Sequence, residues 1–257
     1  MNKLVNRIKG KISKEKNKKE CLRKLREIYK DLYIRRGPFA GMRYASFAAT
    51  GSELFPKLIG VYEHDIADII ENAKKQCYEF FIDVGCAEGY YAVGMAKFGN
   101  VERVIAYDID DYAKKLCAQM ASINQVRVEI RHELTANELC SFPFNKAKRS
   151  FIMADCEGFE RELFTEDNIH NLKNVELLIE IHDWCQHERR TKEILINLFK
   201  ETHECKIIEG IDDYDKAYDY EIDELMNFSI QERFEIFAER RRRIGIWLHC
   251  IPKMYNE

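Results

Sequence analysis

Phe80-Phe81-Ile82-Asp83-Val84-Gly85-Cys86-Ala87-Glu88-Gly89 is the stretch whose reading decides the fold. An apolar run ends in an acid and breaks into a glycine-bearing turn. A helix-compatible segment, Tyr90 to Phe98, follows. A buried strand, a tight turn and a helix N-terminus in that order are how α/β folds hold a nucleotide-like ligand. The spacing is Asp-x-Gly-x-x-x-Gly. A dinucleotide fingerprint needs a glycine where Ala87 stands, so a pyrophosphate is disfavoured. Nineteen residues beyond Gly89, the apolar strand Val101 to Tyr107 ends at Asp108, placed to accept hydrogen bonds from ribose hydroxyls.

Working outward, strands are expected at 79–84, 102–107, 126–132, 149–154 and 176–182. Helices are expected at 88–98, 111–122, 134–140, 159–172 and 185–200. This alternation predicts a parallel sheet with right-handed crossovers. Further strands are expected near 203–209 and 244–251, making a Rossmann-like, seven-stranded, mostly parallel sheet with helices on both faces. Between the last two lies an insertion, 211–243, rich in acids and tyrosines. Upstream, 39–78 reads as a hairpin, a loop and a helix leading into the core.

Residues 1–38 read as a basic helical extension. They carry 14 Lys and Arg against 4 Asp and Glu, whereas the rest carries 27 against 40. Leu22, Leu25, Ile28, Tyr29 and Leu32 recur at helical spacing and give it one apolar face. The charge suits an anionic lipid or nucleic-acid surface; the face suits docking on the body. The nine cysteines never fall two residues apart, so no redox pair or zinc-ribbon spacing occurs. Scattered cysteines and the absence of an apolar leader or of a span-length apolar run predict a cytoplasmic protein, peripheral to a membrane at most.

The pair of acids after the first two strands resembles the S-adenosylmethionine site of class I methyltransferases. The resemblance implies that Asp83 faces the methionine ammonium, that Gly85, Cys86, Ala87, Glu88 and Gly89 lie under the cofactor, and that Asp108 and Ile109 hold the ribose end. A second motif, Asp155-Cys156-Glu157-Gly158-Phe159-Glu160 followed by Leu163, narrows it. With Asn124 and Glu180 it resembles the FkbM-type branch over about residues 79–183, which acts on hydroxyls of sugars, glycans and natural products. That branch commonly has Glu-Pro where this chain has Asp108-Ile109.

Asp155 and Glu157 follow the fourth strand, at the ligand-binding edge. Asp155 is expected beside the cofactor; Glu157 serves the chemistry or caps the next helix. Glu180 and His182 alternate onto one side of the fifth strand, and His182 titrates where a hydroxyl proton could be taken. Asp155, Glu157, Glu180 and His182 could also hold a divalent metal, but the sequence assigns none. No Pro-Pro or Pro-Cys occurs, so base-amino and cytosine-C5 methylation motifs are absent. The expected activity is O-methylation of a small-molecule or glycan acceptor. The alternatives are a nucleic-acid methyltransferase using the basic arm and a non-catalytic cofactor-binding scaffold.

Overall fold

Alternate residues along the first strand, β1 (Cys77–Val84), divide between two hydrophobic cores. Phe81 packs on one side of the sheet, while Phe80, Ile82 and Val84 pack on the other. The other central strands follow the same period, so both sheet faces are buried and helices cover each. The computed structural model describes residues 18–145, 147–183, 191–239, 241 and 244–255. The first seventeen residues of the basic arm, Arg240, Arg242, Arg243 and most of the expected start of the helix at 185–200 lie outside them.

The sheet has seven strands: β1, β2 (Asn100–Tyr107), β3 (Glu129–Arg131), β4 (Arg149–Ala154), β5 (Val175–Glu180), β6 (His203–Glu209) and β7 (Ile246–Pro252). Their order is β3-β2-β1-β4-β5-β7-β6. β1 pairs in parallel with β2 and β4, β2 with β3, and β4 with β5. β7 lies antiparallel between β5 and β6. The order reverses between β1 and β4, and open α/β sheets bind ligands at such switch points, beyond the strands' carboxyl ends.

The helices are α1 (residues 18–28), α2 (Leu54–Ile59), α3 (Ala67–Lys75), α4 (Tyr90–Phe98), α5 (Asp111–Asn124), α6 (Ala136–Ser141), α7 (Glu160–Leu163), α8 (Thr191–Phe199), α9 (Asp213–Asp219) and α10 (Ile230–Phe237). Two expectations are corrected. The helix expected over 159–172 stops at Leu163, because the Asn168 side chain takes over the local backbone. Its amide donates to Leu163 O at 2.8 Å and its oxygen accepts from Thr165 N–H at 3.2 Å, which builds a turn instead. The third strand is three residues rather than seven, as only 129–131 find β2 as a partner.

Upstream, the chain reverses around residues 37–41 through bonds such as Ile34 N–H to Met42 O, then enters α2, which the hairpin-and-loop reading lacked. Cys21, Leu25 and Tyr29 of the basic segment are buried in the same core as α4. Lys24 and Arg36 pair with Glu232 and Glu224 of the acidic insertion, Arg36 Nη2 lying 2.7 Å from the Glu224 carboxylate. The described basic segment is therefore docked by apolar packing and by pairing with 211–243. Asn124 has a similar structural duty: its side chain brackets the Arg43 backbone, accepting from N–H at 3.0 Å and donating to C=O at 2.7 Å.

Candidate functional site

Gly85 brings the two sequence motifs together. It stands at φ +81°, and a Cβ there would fall 1.9 Å from the Asp155 carbonyl oxygen. Only glycine lets the β1 turn and the β4 turn meet backbone to backbone. Asp155 N–H donates to Val84 O at 2.9 Å across the same junction. Ala87, where a dinucleotide fingerprint has glycine, also adopts positive φ, +50°. That conformation costs an L-residue about 1–2 kcal/mol. It aims the Ala87 N–H at Asp108 Oδ2, 2.8 Å away.

A cleft of about 710 Å³ opens over the carboxyl ends of β1, β2 and β4. Asp83, Gly85, Cys86, Ala87, Asp108, Ile109 and Asp155 line it. Asp83 is buried and accepts from Ala92 N–H of α4 at 2.9 Å. Burial, and then the charges of Asp155 and Asp108, push its carboxyl up to about 7. Asp108 accepts from Ala87 N–H and, through Oδ1, from Asp110 N–H. Each oxygen keeps acceptor capacity toward the cleft. Ile109 is 71% exposed at the rim.

The structure places Glu88 and Gly89 elsewhere. Glu88 is 1% exposed and faces the upstream segment. It accepts from Tyr44 O–H at 2.9 Å and Thr50 N–H at 3.2 Å, and pairs with the buried Lys57 at 2.6 Å. The turn that precedes α4 sends this side chain to the upstream segment, and it does not line the cleft. Gly89 serves helix packing: a Cβ there would meet Cys117 Sγ at 2.6 Å.

Other cleft residues carried no sequence signal. His132, Glu133 and Leu134 follow β3 and form the wall beyond Asp108. Thr50, Ser52, Lys57, Tyr62 and Glu63 roof the Asp83 end. They come from a segment whose place over the sheet depends on the Glu88 anchor and the packing of α2.

A second cavity, about 450 Å³, adjoins the first through Asp155, Glu157 and Tyr62. Glu180, His182, Asp183, Glu239 and Arg241 also line it. His182 is 5% exposed. Its Nδ1 lies 2.7 Å from Oε1 of the fully buried Glu160, which also accepts from Gly158 N–H. Its Nε2 faces Asp155 Oδ1 at 3.5 Å and Glu157 Oε2 at 3.8 Å. Burial opposes charge on the ring, but the Glu160 hydrogen bond and the Asp155 charge outweigh it and raise the His182 pKa. Burial, reinforced by Glu63, pushes Asp155 up to about 6.

Glu180 is engaged with Arg241, which also pairs with Glu63 and Glu239. Burial first, and the Asp155 charge second, raise the Glu180 carboxyl against the pull of Arg241. Glu180 thus holds the guanidinium over the cavity. Glu157 does not cap α7, whose N-cap is Phe159 with no side-chain cap. It stands at φ +52° with its side chain 69% exposed at the mouth between the two cavities.

The family model for ribosomal protein L11 methyltransferase (PrmA) matches residues 67–155, which span α3, the β1 turn and β4. No curated protein sequence matches the chain. Among solved structures, the chain is similar to precorrin 8W decarboxylase of Methanobacterium thermoautotrophicum, at 14% identity over 72% of this chain and 87% of that one, with a TM-score of 0.43. It is similar to a Pyrococcus abyssi tRNA (uracil-54, C5)-methyltransferase in complex with S-adenosyl-L-homocysteine, at 12% identity over 75% and 39%, with a TM-score of 0.42. It is also similar to M. capricolum TrmK in complex with S-adenosyl-homocysteine, at 12% identity over 71% and 66%, with a TM-score of 0.39. The PrmA match covers β1 to β4 of the sheet described above. With the seven-stranded order and the antiparallel β7, it gives this chain the fold of the class I, S-adenosylmethionine-dependent methyltransferases.

Proposed function

We propose that this protein is an S-adenosylmethionine-dependent O-methyltransferase of the FkbM type, acting on a hydroxyl of a sugar, glycan or natural-product acceptor. The observation that carries the reading is the pair of adjoining cavities. One is built around Asp83, Gly85 and Asp108. The other is built around His182 and a set of carboxylates, and Asp155 and Glu157 stand on the boundary.

The larger cleft has the chemistry the cofactor needs. Asp108 would accept from the ribose hydroxyls, and Asp83 would face the ammonium group. Gly85 and Ala87 keep the turn low enough for close approach. When bound, the cofactor supplies a preactivated methyl group and leaves as S-adenosylhomocysteine. The protein's own part is to position the acceptor oxygen and provide for its proton. The smaller cavity suits that part, because its carboxylates accept from hydroxyls while Tyr62 offers an aromatic face to a sugar ring. Loss of the proton falls to the edge formed by Asp155, Glu157 and His182. Glu180 and Arg241 shape the cavity around it.

No described helix is long and apolar enough to cross a membrane. A cytoplasmic setting is part of this proposal, as is contact of the basic residues 1–38 with an anionic surface. Calorimetry with S-adenosylhomocysteine, S-adenosylmethionine and NAD side by side tests the reading. Binding of adenosylhomocysteine in the micromolar range, about −8 kcal/mol, is expected. NAD binding without adenosylhomocysteine binding overturns it. With the cofactor established, release of adenosylhomocysteine over a panel of glycosides and polyols identifies the acceptor. Turnover on RNA alone would replace the O-methyl reading.

A further inference from the structure

Among the described residues, the boundary between the two cavities holds more negative charge than its neighbours balance. Asp155, Glu157, Glu160, Glu180, Glu63 and Glu239 crowd one region, where the cationic groups paired with them among the described residues include His182, Arg241 and Lys216. Arg241 is committed to Glu63, Glu180 and Glu239, and Lys216 pairs with Glu239 and Asp213. His182 turns its Nε2 toward Asp155 and Glu157.

We infer that Asp155, Glu157 and His182 form a binding site for a divalent cation. This inference rests on the methyltransferase reading of the adjoining cleft. Three observations carry it. First, one ligand atom from each of the three lies within 4.8 Å of the others. The separations from His182 Nε2, 3.5 and 3.8 Å, are too long for hydrogen bonds. They match the edges of a coordination polyhedron, in which ligands about 2.0–2.2 Å from the metal stand roughly 3–4.5 Å apart. Second, the imidazole is buried and its Nδ1 is held by the buried Glu160 carboxylate. A carboxylate on one ring nitrogen that aims the other at a cation is the usual outer-shell arrangement of a metal-bound histidine. Third, Asp155 Oδ1, the oxygen nearest Nε2, is inaccessible to solvent and has no hydrogen-bond partner.

Two carboxylate oxygens and one imidazole suit a hard-to-borderline divalent ion such as Mn²⁺ or Mg²⁺, with the remaining positions open toward the smaller cavity. There the ion would hold the acceptor's oxygen and lower the pKa of its hydroxyl. The hydroxyl proton leaves to water. The oxygen's electron pair forms the new C–O bond, and the pair of the broken C–S bond returns to sulfur. His182 is then a ligand rather than the base, and Glu160 is a positioning residue that acts through it.

Titration of the full-length protein with Mn²⁺, followed by electron paramagnetic resonance and calorimetry, tests the site without any acceptor. One bound Mn²⁺ per chain is expected. Glu157→Gln alters an exposed side chain and leaves the core intact; it should weaken Mn²⁺ at least tenfold. Asp155→Asn should do at least as much. Glu160→Gln should weaken Mn²⁺ by 10–100-fold although it touches no ion. Adenosylhomocysteine binding is measured on the same samples. A wild-type protein that binds adenosylhomocysteine but takes up no more Mn²⁺ than Glu157→Gln overturns the metal site and leaves the methyltransferase reading standing. Loss of both ligands in the wild type overturns the reading beneath it.

Discussion

Two acids flank the same glycine turn, Glu88 buried and Asp155 32% exposed with one oxygen buried, and have opposite surroundings. Glu88 is met by a hydroxyl, a backbone N–H and an ammonium group, all from the upstream segment. Asp155 faces a histidine and further carboxylates, and one of its oxygens is buried without a hydrogen-bond partner. A buried charge whose partners are complete holds parts of a fold together. One whose partners are incomplete raises the energy of the empty site and lowers it when a ligand arrives. The first acid fastens a roof to the sheet; the second stands where chemistry is proposed.

The largest expected effect breaks the satisfied side of this comparison. Glu88→Ala strands the buried Lys57 ammonium and should cost about 3–5 kcal/mol of stability in urea unfolding. A loss under 1 kcal/mol would mean that Lys57 finds water or another acceptor and that the roof is not fastened there.

Asp83 sharpens the unsatisfied side. Its folded pKa, about 7, lies above its unfolded value. Between about pH 4 and pH 7 the unfolded chain ionises this group while the folded chain still holds its proton. Stability therefore falls as pH rises through that window. Asp83→Asn should stabilise the protein by about 2–4 kcal/mol at pH 8 and by almost nothing at pH 4, with weaker cofactor binding. Equal gains at both pH values would show that burial of this carboxyl is not what raises it.

Asp108 stands between the two cases, half engaged by its own turn and half facing the cleft. Asp108→Ala should weaken adenosylhomocysteine by about 1–3 kcal/mol in calorimetry. Unchanged affinity would assign the residue to the turn alone. The smallest effect belongs to Glu157. It caps no helix and is exposed, so Glu157→Gln should leave stability within about 0.5 kcal/mol. A loss of 1 kcal/mol or more would return it to a structural role.

Much of the fold was legible because both periods in the sequence are local. The apolar strands, the acid at the end of each of the first two, and the glycine that must adopt positive φ are consequences of backbone sterics and of burial on two faces. Asp83, Gly85, Asp108 and Asp155 meet at one cleft for the same reason: each lies at the carboxyl end of one of three parallel strands. The helix after Phe159 was misjudged because Asn168 offers the backbone a competing local partner, which apolar spacing does not register.

The sequence by itself determined the alternation of strands and helices and the acids at the strands' carboxyl ends. Tertiary structure alone decided that β7 runs antiparallel between β5 and β6, and that Glu88 turns its back on the cleft. It alone seated Arg241 on three acids and placed Glu160 behind His182. Apart from Arg241–Glu239, those outcomes join residues 22 to 178 positions apart in the chain. A side chain's direction along a strand or helix follows from local geometry. The partner it meets depends on how distant elements pack, and no local period encodes that.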